Sequence, residues 1–379
     1  MMATLVKHLI NIYRLGIKEF RGLWHDKVLL FFIIWAFSGG IYAVAIASSQ
    51  ELHNAPIAFV DEDQSPLSKR IINAFFGPYF KTPELIVQAD IDSGLDAGIY
   101  TFVLHIPSNF ERDVRAGKQP DIQVNIDATR MSQAGIGAGY IQSIVNGELS
   151  EFVQGFRSDA ALPIELSTHM KFNPNLTSAW FGSVMEIINN ITMLSIILTG
   201  AALLREREHG TLEHLLVMPL GAAEIMLAKV WSMGLVVLLA SALSLYLVVQ
   251  GLLNVPIAGS IPLFMFGALL HLFATTSIGI FMGTVARSMP QLGLIFILTI
   301  IPLQLLSGGV TPRESMPELV QNIMLAAPTT HFVSFAQAIL YRGAGFSVVW
   351  PSFLAIVVIG AVFFLFTLSL FRKSLASEH

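Results

Sequence analysis

Cysteine is absent from the 379 residues. Its absence removes disulfides, thiolate metal sites and thiol nucleophiles, and leaves the compartment open, because oxidising spaces permit disulfides without requiring them. Charge is scarce as well. Only 13% of residues are Asp, Glu, Lys or Arg against 54% hydrophobic, and the mean hydropathy is +0.66, too apolar for a water-soluble globule. The formal net charge of -4 offers no basic face for nucleic acid. A phosphate-cradling Gly-x-x-x-x-Gly-Lys-Ser/Thr loop is missing, since Gly117-Lys118 lacks the earlier glycine and the following hydroxyl. A His-Glu-x-x-His zinc motif is missing too, and His209 and His214 fall on divergent helix faces. No Asp lies within an apolar segment, which excludes an intramembrane aspartyl protease. Asp61, Glu62, Asp63 and Asp127 lack the spacing of a calcium loop and read as a solvated turn. The expectation is a chain that is not an enzyme and binds no metal or cofactor itself.

Apolar runs are abundant. Residues 28–49 and five later segments, near 179–204, 230–253, 261–286, 291–308 and 348–371, each approach the ~20 residues needed to cross a bilayer. Residues 1–27 place Leu5, Leu9, Ile12, Tyr13, Ile17, Phe20 and Trp24 on one helical face and Lys7, Asn11, Arg14, Lys18 and Arg21 on the other, so they predict an interfacial amphipathic helix. A cleaved signal with an Ala45–Ala47 site competes, but the apolar run exceeds the usual 7–15 residues of a signal core. The fold class expected is therefore an α-helical polytopic membrane protein with six transmembrane helices.

Between residues 50 and 177 the composition turns polar. Strands are expected at 56–60, 100–106 and 121–127, with a last one at 165–172. Helices are expected after the Ser65-Pro66 cap, after a capping box at Ser108–Glu111, and over 132–156. This inserted stretch reads as an α/β domain. An even number of spans puts both termini on one side. Lys7, Arg14, Lys18, Arg21, Lys27, Arg205, Arg207, Lys229, Arg287, Arg372 and Lys373 share that side, whereas the short loops opposite carry only Arg313 and Arg342. The positive-inside rule makes the termini, including the tail 372–379, cytoplasmic and the inserted domain extracytoplasmic.

The longest polar break in the C-terminal half, residues 205–229, follows four alternating charges from Arg205 to Glu208. Gly210 interrupts the backbone, Thr211 can cap a short helix with Glu213 in its first turn, Leu212, Leu215 and Leu216 share a face, and Pro219 ends it. Such a capped elbow also serves as a plain connection between spans. The run Glu-x-Gly-Thr-x-Glu-x-Leu-Leu-x-x-Pro, with an acid five residues on, resembles the cytoplasmic signature of the ABC-type-2 transporter permeases. It is matched here by Glu208, Gly210, Thr211, Glu213, Leu215, Leu216, Pro219 and Glu224. That resemblance implies a coupling helix resting on a separate ABC ATP-binding subunit, which holds the ATP and Mg. It further implies a second permease half, identical or paralogous, a bacterial inner membrane with the large domain periplasmic, and a periplasmic adaptor as a further partner. Export of a drug-like or lipid-like amphiphile is the implied function.

Residues 309–345 hold two helices too short to span. Ser315 and Glu318 form a capping box, with Pro317 in the first turn and Leu319, Val320, Ile323 and Met324 on one face. By length alone they lie flat or dip in and return. The resemblance favours re-entrant outer helices, with Pro312, Ser315, Pro317 and Glu318 at an outer gate. Glu186, with Ser183, Asn189 and Asn190 on the same side of the second span, must face protein or water, as a packing contact or as part of a translocation path. His271 and Gln304 pose the same choice. Two other function classes remain open: an ion-coupled secondary transporter, for which only Glu186 speaks, and a membrane-anchored sensor or assembly factor whose helices merely hold the soluble domain.

Overall fold

A computed structural model describes residues 2–47, 52, 54–127, 131–154, 177–210 and 220–377. The chain divides into two compact units, one of Met1–Ser48 with Lys171–His379 and the other of Ser49–Met170.

The first unit is helical. Its elements are α1 (Met2–His25), α2 (Lys27–Ala36), α3 (Gly39–Ala47), α8 (Ser178–Glu208), α9 (Ala222–Ser244, continued as a π-helix over Leu245–Leu252), α10 (Ile261–Val285), α11 (Met289–Leu306), α12 (Glu318–Met324), α13 (Pro328–Leu340) and α14 (Phe346–Ser377). Among the described residues, six stretches are long and apolar enough to cross a membrane: Lys27–Ile46, Ala179–Glu208, Ala222–Leu252, Ile261–Val285, Met289–Leu306 and Phe346–Ser374. The sequence predicts the same six.

Helices α8 and α10 form the centre, and glycine sets how closely they approach. A Cβ on Gly283 would lie 2.7 Å from the Gly200 carbonyl oxygen, and one on Gly279 would lie 2.5 Å from that of Ile196. Backbone therefore packs on backbone, as small-residue seams allow in membranes. Around the seam, Ser195 Oγ donates to Thr275 Oγ1 at 2.7 Å and Thr192 Oγ1 bonds His271 Nε2 at 2.9 Å. His271 is buried and stacks on Phe332 with ring centroids 3.9 Å apart. It thus joins α8, α10 and α13.

Three boundaries differ from expectation. The first span is broken at Phe37–Ser38 into α2 and α3, where Gly39 and Gly40 weaken the helix. The Ala36 carbonyl freed there accepts from Asn190 Nδ2 at 2.8 Å. Helix α8 does not stop at Arg205 but continues through Glu208, and α9 begins at Ala222, so Glu224 and Lys229 lie inside a helix and not in the elbow. The Ser315–Glu318 capping box does not form. Arg313–Ser315 is a single 3₁₀ turn, the buried Met316 is extended, and α12 starts at Glu318 with no side-chain cap. Burial of Met316 straightens the backbone that a box would need to be helical. Of the face assigned to α12, Met324 is buried while Leu319 and Ile323 are exposed. Helices α12 and α13 meet at 90°.

The second unit contains β1 (Ile57–Asp61), α4 (Pro66–Asn73), β2 (Glu84–Leu85), α5 (Ile91–Asp96), β3 (Phe102–Ile106), α6 (Phe110–Arg115), β4 (Gln123–Ile126) and α7 (Met131–Gln154). The sheet order is β2-β1-β3-β4, with β1 parallel to both neighbours and β3 antiparallel to β4. Phe59, Phe75, Phe80, Phe102 and Phe110 fill its core. Ser65 caps α4 through Ser68 N at 3.1 Å, with Pro66 at the first position. The second capping box fails: Asn109 is left-handed, and Glu111 turns away to accept from Leu67 N at 3.1 Å. An unpaired amide at the start of α4 is the competing donor. The acids of the β1 turn hold the turn and tie it to its neighbours. Asp61 accepts from Gln64 N at 2.9 Å and Ser68 Oγ at 2.8 Å, and Asp63 accepts from Glu111 N at 3.0 Å. The strand expected at 165–172 lies outside the described residues.

Candidate functional site

The four charges that end α8 are each engaged by a different part of the helical unit. Arg205 pairs with Asp26, which also caps α2 by accepting from Leu29 N at 3.0 Å. That backbone bond, with the Arg205 guanidinium beside it, holds the Asp26 carboxyl below the usual carboxylate range. Glu206 accepts from Lys18 and lies 2.7 Å from Lys229. Arg207 Nη1 donates to the Thr284 and Ala286 carbonyls at 3.0 and 3.3 Å, at the free C-terminal end of α10. Glu208 accepts from Met289 N at 3.1 Å, the first amide of α11. These partners explain why the helix tolerates four successive charges.

Lys229 is the deepest member. Its side chain is 1% exposed, and its ammonium reaches Glu19 at 2.9 Å as well as Glu206. One buried cation thus ties α1 to α8 and α9. Isolated, it would carry a large desolvation cost; two carboxylates, themselves balanced by Lys18, offset it. Helix α1 is held further by Trp231, whose indole Nε1 donates to the Ile12 carbonyl at 3.1 Å. Gly16 lies against that ring where a Cβ would clash, and Tyr13 stacks on it while Phe20 meets it edge-on.

Glu224 caps α9 by accepting from Gly221 N, and also accepts from Asn11 Nδ2 at 2.9 Å and contacts His8 Nδ1 at 3.0 Å. It is buried in the seam with α1. Gly210 closes α8 at φ +66°, a left-handed geometry that suits glycine. Thr211, Glu213, Leu215, Leu216 and Pro219 lie outside the described residues. In the second span, Ser183 is buried with its hydroxyl on the Trp180 carbonyl, Glu186 meets the Asn190 side chain, and Asn189 is half-buried. Asn190 therefore packs α8 on the break between α2 and α3. Pro312, Ser315, Pro317 and Glu318 are all exposed, around the turn that precedes α12.

Sequence reasoning missed Glu19, Asp26, Trp231 and the role of Lys229. The usable signal was the apolar run that continues on both sides of Lys229: a cation there needs buried partners, and Glu19 is the acid in α1. Lys18, Glu19, Arg205, Glu206 and His209 also line a cavity of about 370 Å³, where the two carboxylates are engaged by lysines. The cluster's chemistry is mechanical, joining the ends of four helices.

The sequence matches the family described as ABC-2 family transporter protein over residues 28–369. It is 62% identical over 372 residues to "Inner membrane transport permease YhhJ" of Escherichia coli (strain K12), covering 98% of this chain and all of that protein. It is 28% identical to "Probable multidrug ABC transporter permease YbhR" of the same organism, covering 86% of this chain and 89% of the relative. It is 26% identical to "Probable multidrug ABC transporter permease YbhS", covering 70% and 71%. Six apolar spans and a family match along nearly the whole length lead to one conclusion: the chain belongs to the ABC-2 family of membrane transport permeases.

Proposed function

We propose that the chain is the membrane-spanning subunit of an ATP-driven exporter of amphiphilic molecules, working with a separate ATP-binding subunit and a second permease half. The observation that carries this reading is the buried Lys229, which locks α1 to α8 and α9, the two helices that the elbow connects. A push delivered to the elbow would move α1, α8 and α9 together, because breaking the lock strands buried charge. Arg207 and Glu208 pass the same motion to the junction of α10 and α11. ATP and Mg reside on the partner. The distribution of basic residues supports a cytoplasmic elbow and cytoplasmic termini with the 50–177 insertion in the periplasm, where an adaptor would meet it. The relatives named as multidrug permeases favour a drug-like or lipid-like cargo.

The test is Glu213→Lys in the intact complex. The permease should insert and fold normally while its association with the ATP-binding subunit weakens at least tenfold, about 1.4 kcal/mol, and transport is lost. A compensating Lys or Arg to Glu change on the partner should restore both. Undiminished co-purification and substrate-stimulated hydrolysis would remove Glu213 from coupling; failure to find any ATP-binding subunit with the wild-type chain would favour an ion-coupled transporter or a sensor.

A further inference from the structure

A cavity of about 610 Å³ opens beside the loop between α11 and α12, and its wall includes Phe181, Arg313, Thr330, Val333, Gln337 and Arg342. Two features of that wall are costly unless something fills the cavity. Arg313 Nε is buried with no hydrogen-bond partner, and Thr330, only 4% exposed, leaves its hydroxyl without one. Buried polar groups are nearly always satisfied, so orphans lining a cavity of this size call for a ligand. Among the described residues neither the Arg313 nor the Arg342 side chain makes an ion pair or hydrogen bond. Glu314, exposed on the same wall, is the opposing carboxylate, and the two guanidiniums outnumber it.

The sequence adds an independent argument. Arg313 and Arg342 are the two basic residues of the short loops on the side poor in positive charge. Topology selects against arginine there, yet both line one cavity. A guanidinium presents a planar fork of donors that matches phosphate or carboxylate oxygens two at a time. Phe181, Val310 and Val333 supply an apolar wall beside the charged one. We infer that this cavity binds the phosphate-bearing headgroup of an amphiphile, with Arg313 and Arg342 on the anion, Thr330 donating to it, and the apolar wall receiving the first carbons of the tail. Its location on the exit side rests on the export reading; the anion site itself does not.

The absence of cysteine makes the test direct. Ser334 is exposed and lines the cavity, so the full-length Ser334→Cys protein in neutral detergent reports occupancy through its rate of maleimide labelling. Phosphatidylglycerol should slow labelling at least fivefold, whereas diacylglycerol with the same tails, lacking the phosphate, should not. Arg313→Gln with Arg342→Gln should abolish the protection, and Glu314→Gln should strengthen it. Should the double variant fail to fold, Arg342→Gln alone, at an exposed side chain, carries the same expectation. Inorganic phosphate protecting as well as the lipid would assign a free anion; protection by the lipid alone would assign a headgroup. Equal protection by diacylglycerol, or full protection by phosphatidylglycerol in the arginine variants, overturns the proposal. Labelling of Ser334→Cys in intact cells is read separately: modification only after lysis would overturn the exit-side placement and leave lipid protection unaffected.

Discussion

The ammonium of Lys229 sits 2.7 Å from a Glu206 carboxylate oxygen, joining α9 to α8 beneath the helix that Glu19 brings across them. Removing one side of such a pair is worse than removing all of it, because the survivors stay buried and charged. Lys229→Met should destabilise the protein by about 3–5 kcal/mol, read as lost thermal stability and monodispersity in detergent. Adding Glu19→Gln and Glu206→Gln should recover most of it. A single variant as stable as wild type would show that the cluster admits water and carries no such cost.

The seam between α8 and α10 predicts a size limit. Gly279→Ala places a methyl group 2.5 Å from a backbone oxygen, where no side-chain movement relieves it. Overpacking of this kind costs about 1–3 kcal/mol. Gly293→Ala, which meets nothing within 4 Å, should be neutral in the same thermal unfolding assay. Equal behaviour of the two would mean the helices separate more easily than their packing implies.

Asp26 sets an acid limit on the junction of α1 and α2. Its carboxyl titrates below the ordinary value because the ionised form accepts from Leu29 N and pairs with Arg205. The stabilisation is present above the unfolded value of about 3.9 and is lost as pH falls through the lower folded value. Asp26→Asn should therefore lower the melting temperature at neutral pH and make no difference well below pH 4. A constant difference across that range would assign the effect to shape and not to charge.

In the second span, Asn190→Leu should leave the Ala36 carbonyl unpaired and cost about 1–3 kcal/mol, seen as reduced folded yield. Glu186→Gln retains the shape and the capacity to bond Asn190. If Glu186 serves packing alone, transport survives; if it carries cargo or protons, transport falls while expression and partner association stay normal.

Sidedness follows from two single cysteines in this cysteine-free chain. Ser132→Cys should react with an impermeant thiol reagent in intact cells and Thr211→Cys only after lysis. Labelling of the latter from outside would overturn the topology and, with it, the placement of the elbow against a cytoplasmic partner.

Much of the architecture is legible in the sequence. Span positions follow from runs of apolar residues near bilayer length. The Ser65-Pro66 cap and strands β1, β3 and β4 follow from local chemistry that no distant residue contests. Where reading failed, a distant group had intervened. Glu111 could have capped its own helix, but the free amide of Leu67 claimed it. Arg205–Glu208 read as the end of a helix, yet α8 runs on because Asp26 takes Arg205, Lys18 and Lys229 share Glu206, the end of α10 takes Arg207 and Met289 N takes Glu208.

What the sequence alone determined is the environment: a chain this apolar, with six uncharged or nearly uncharged runs near bilayer length, has to live in a bilayer, because hydropathy is a sum over neighbouring residues. It also determined the family, through a spaced motif. Only the tertiary structure decided which charges meet. Pairing of Lys229 with Glu19 depends on α1 folding back along α9, and the closeness of α8 to α10 depends on Gly200, Gly279 and Gly283 falling at the same level. Those are relations between residues far apart in the chain, fixed by packing, and no local pattern encodes them.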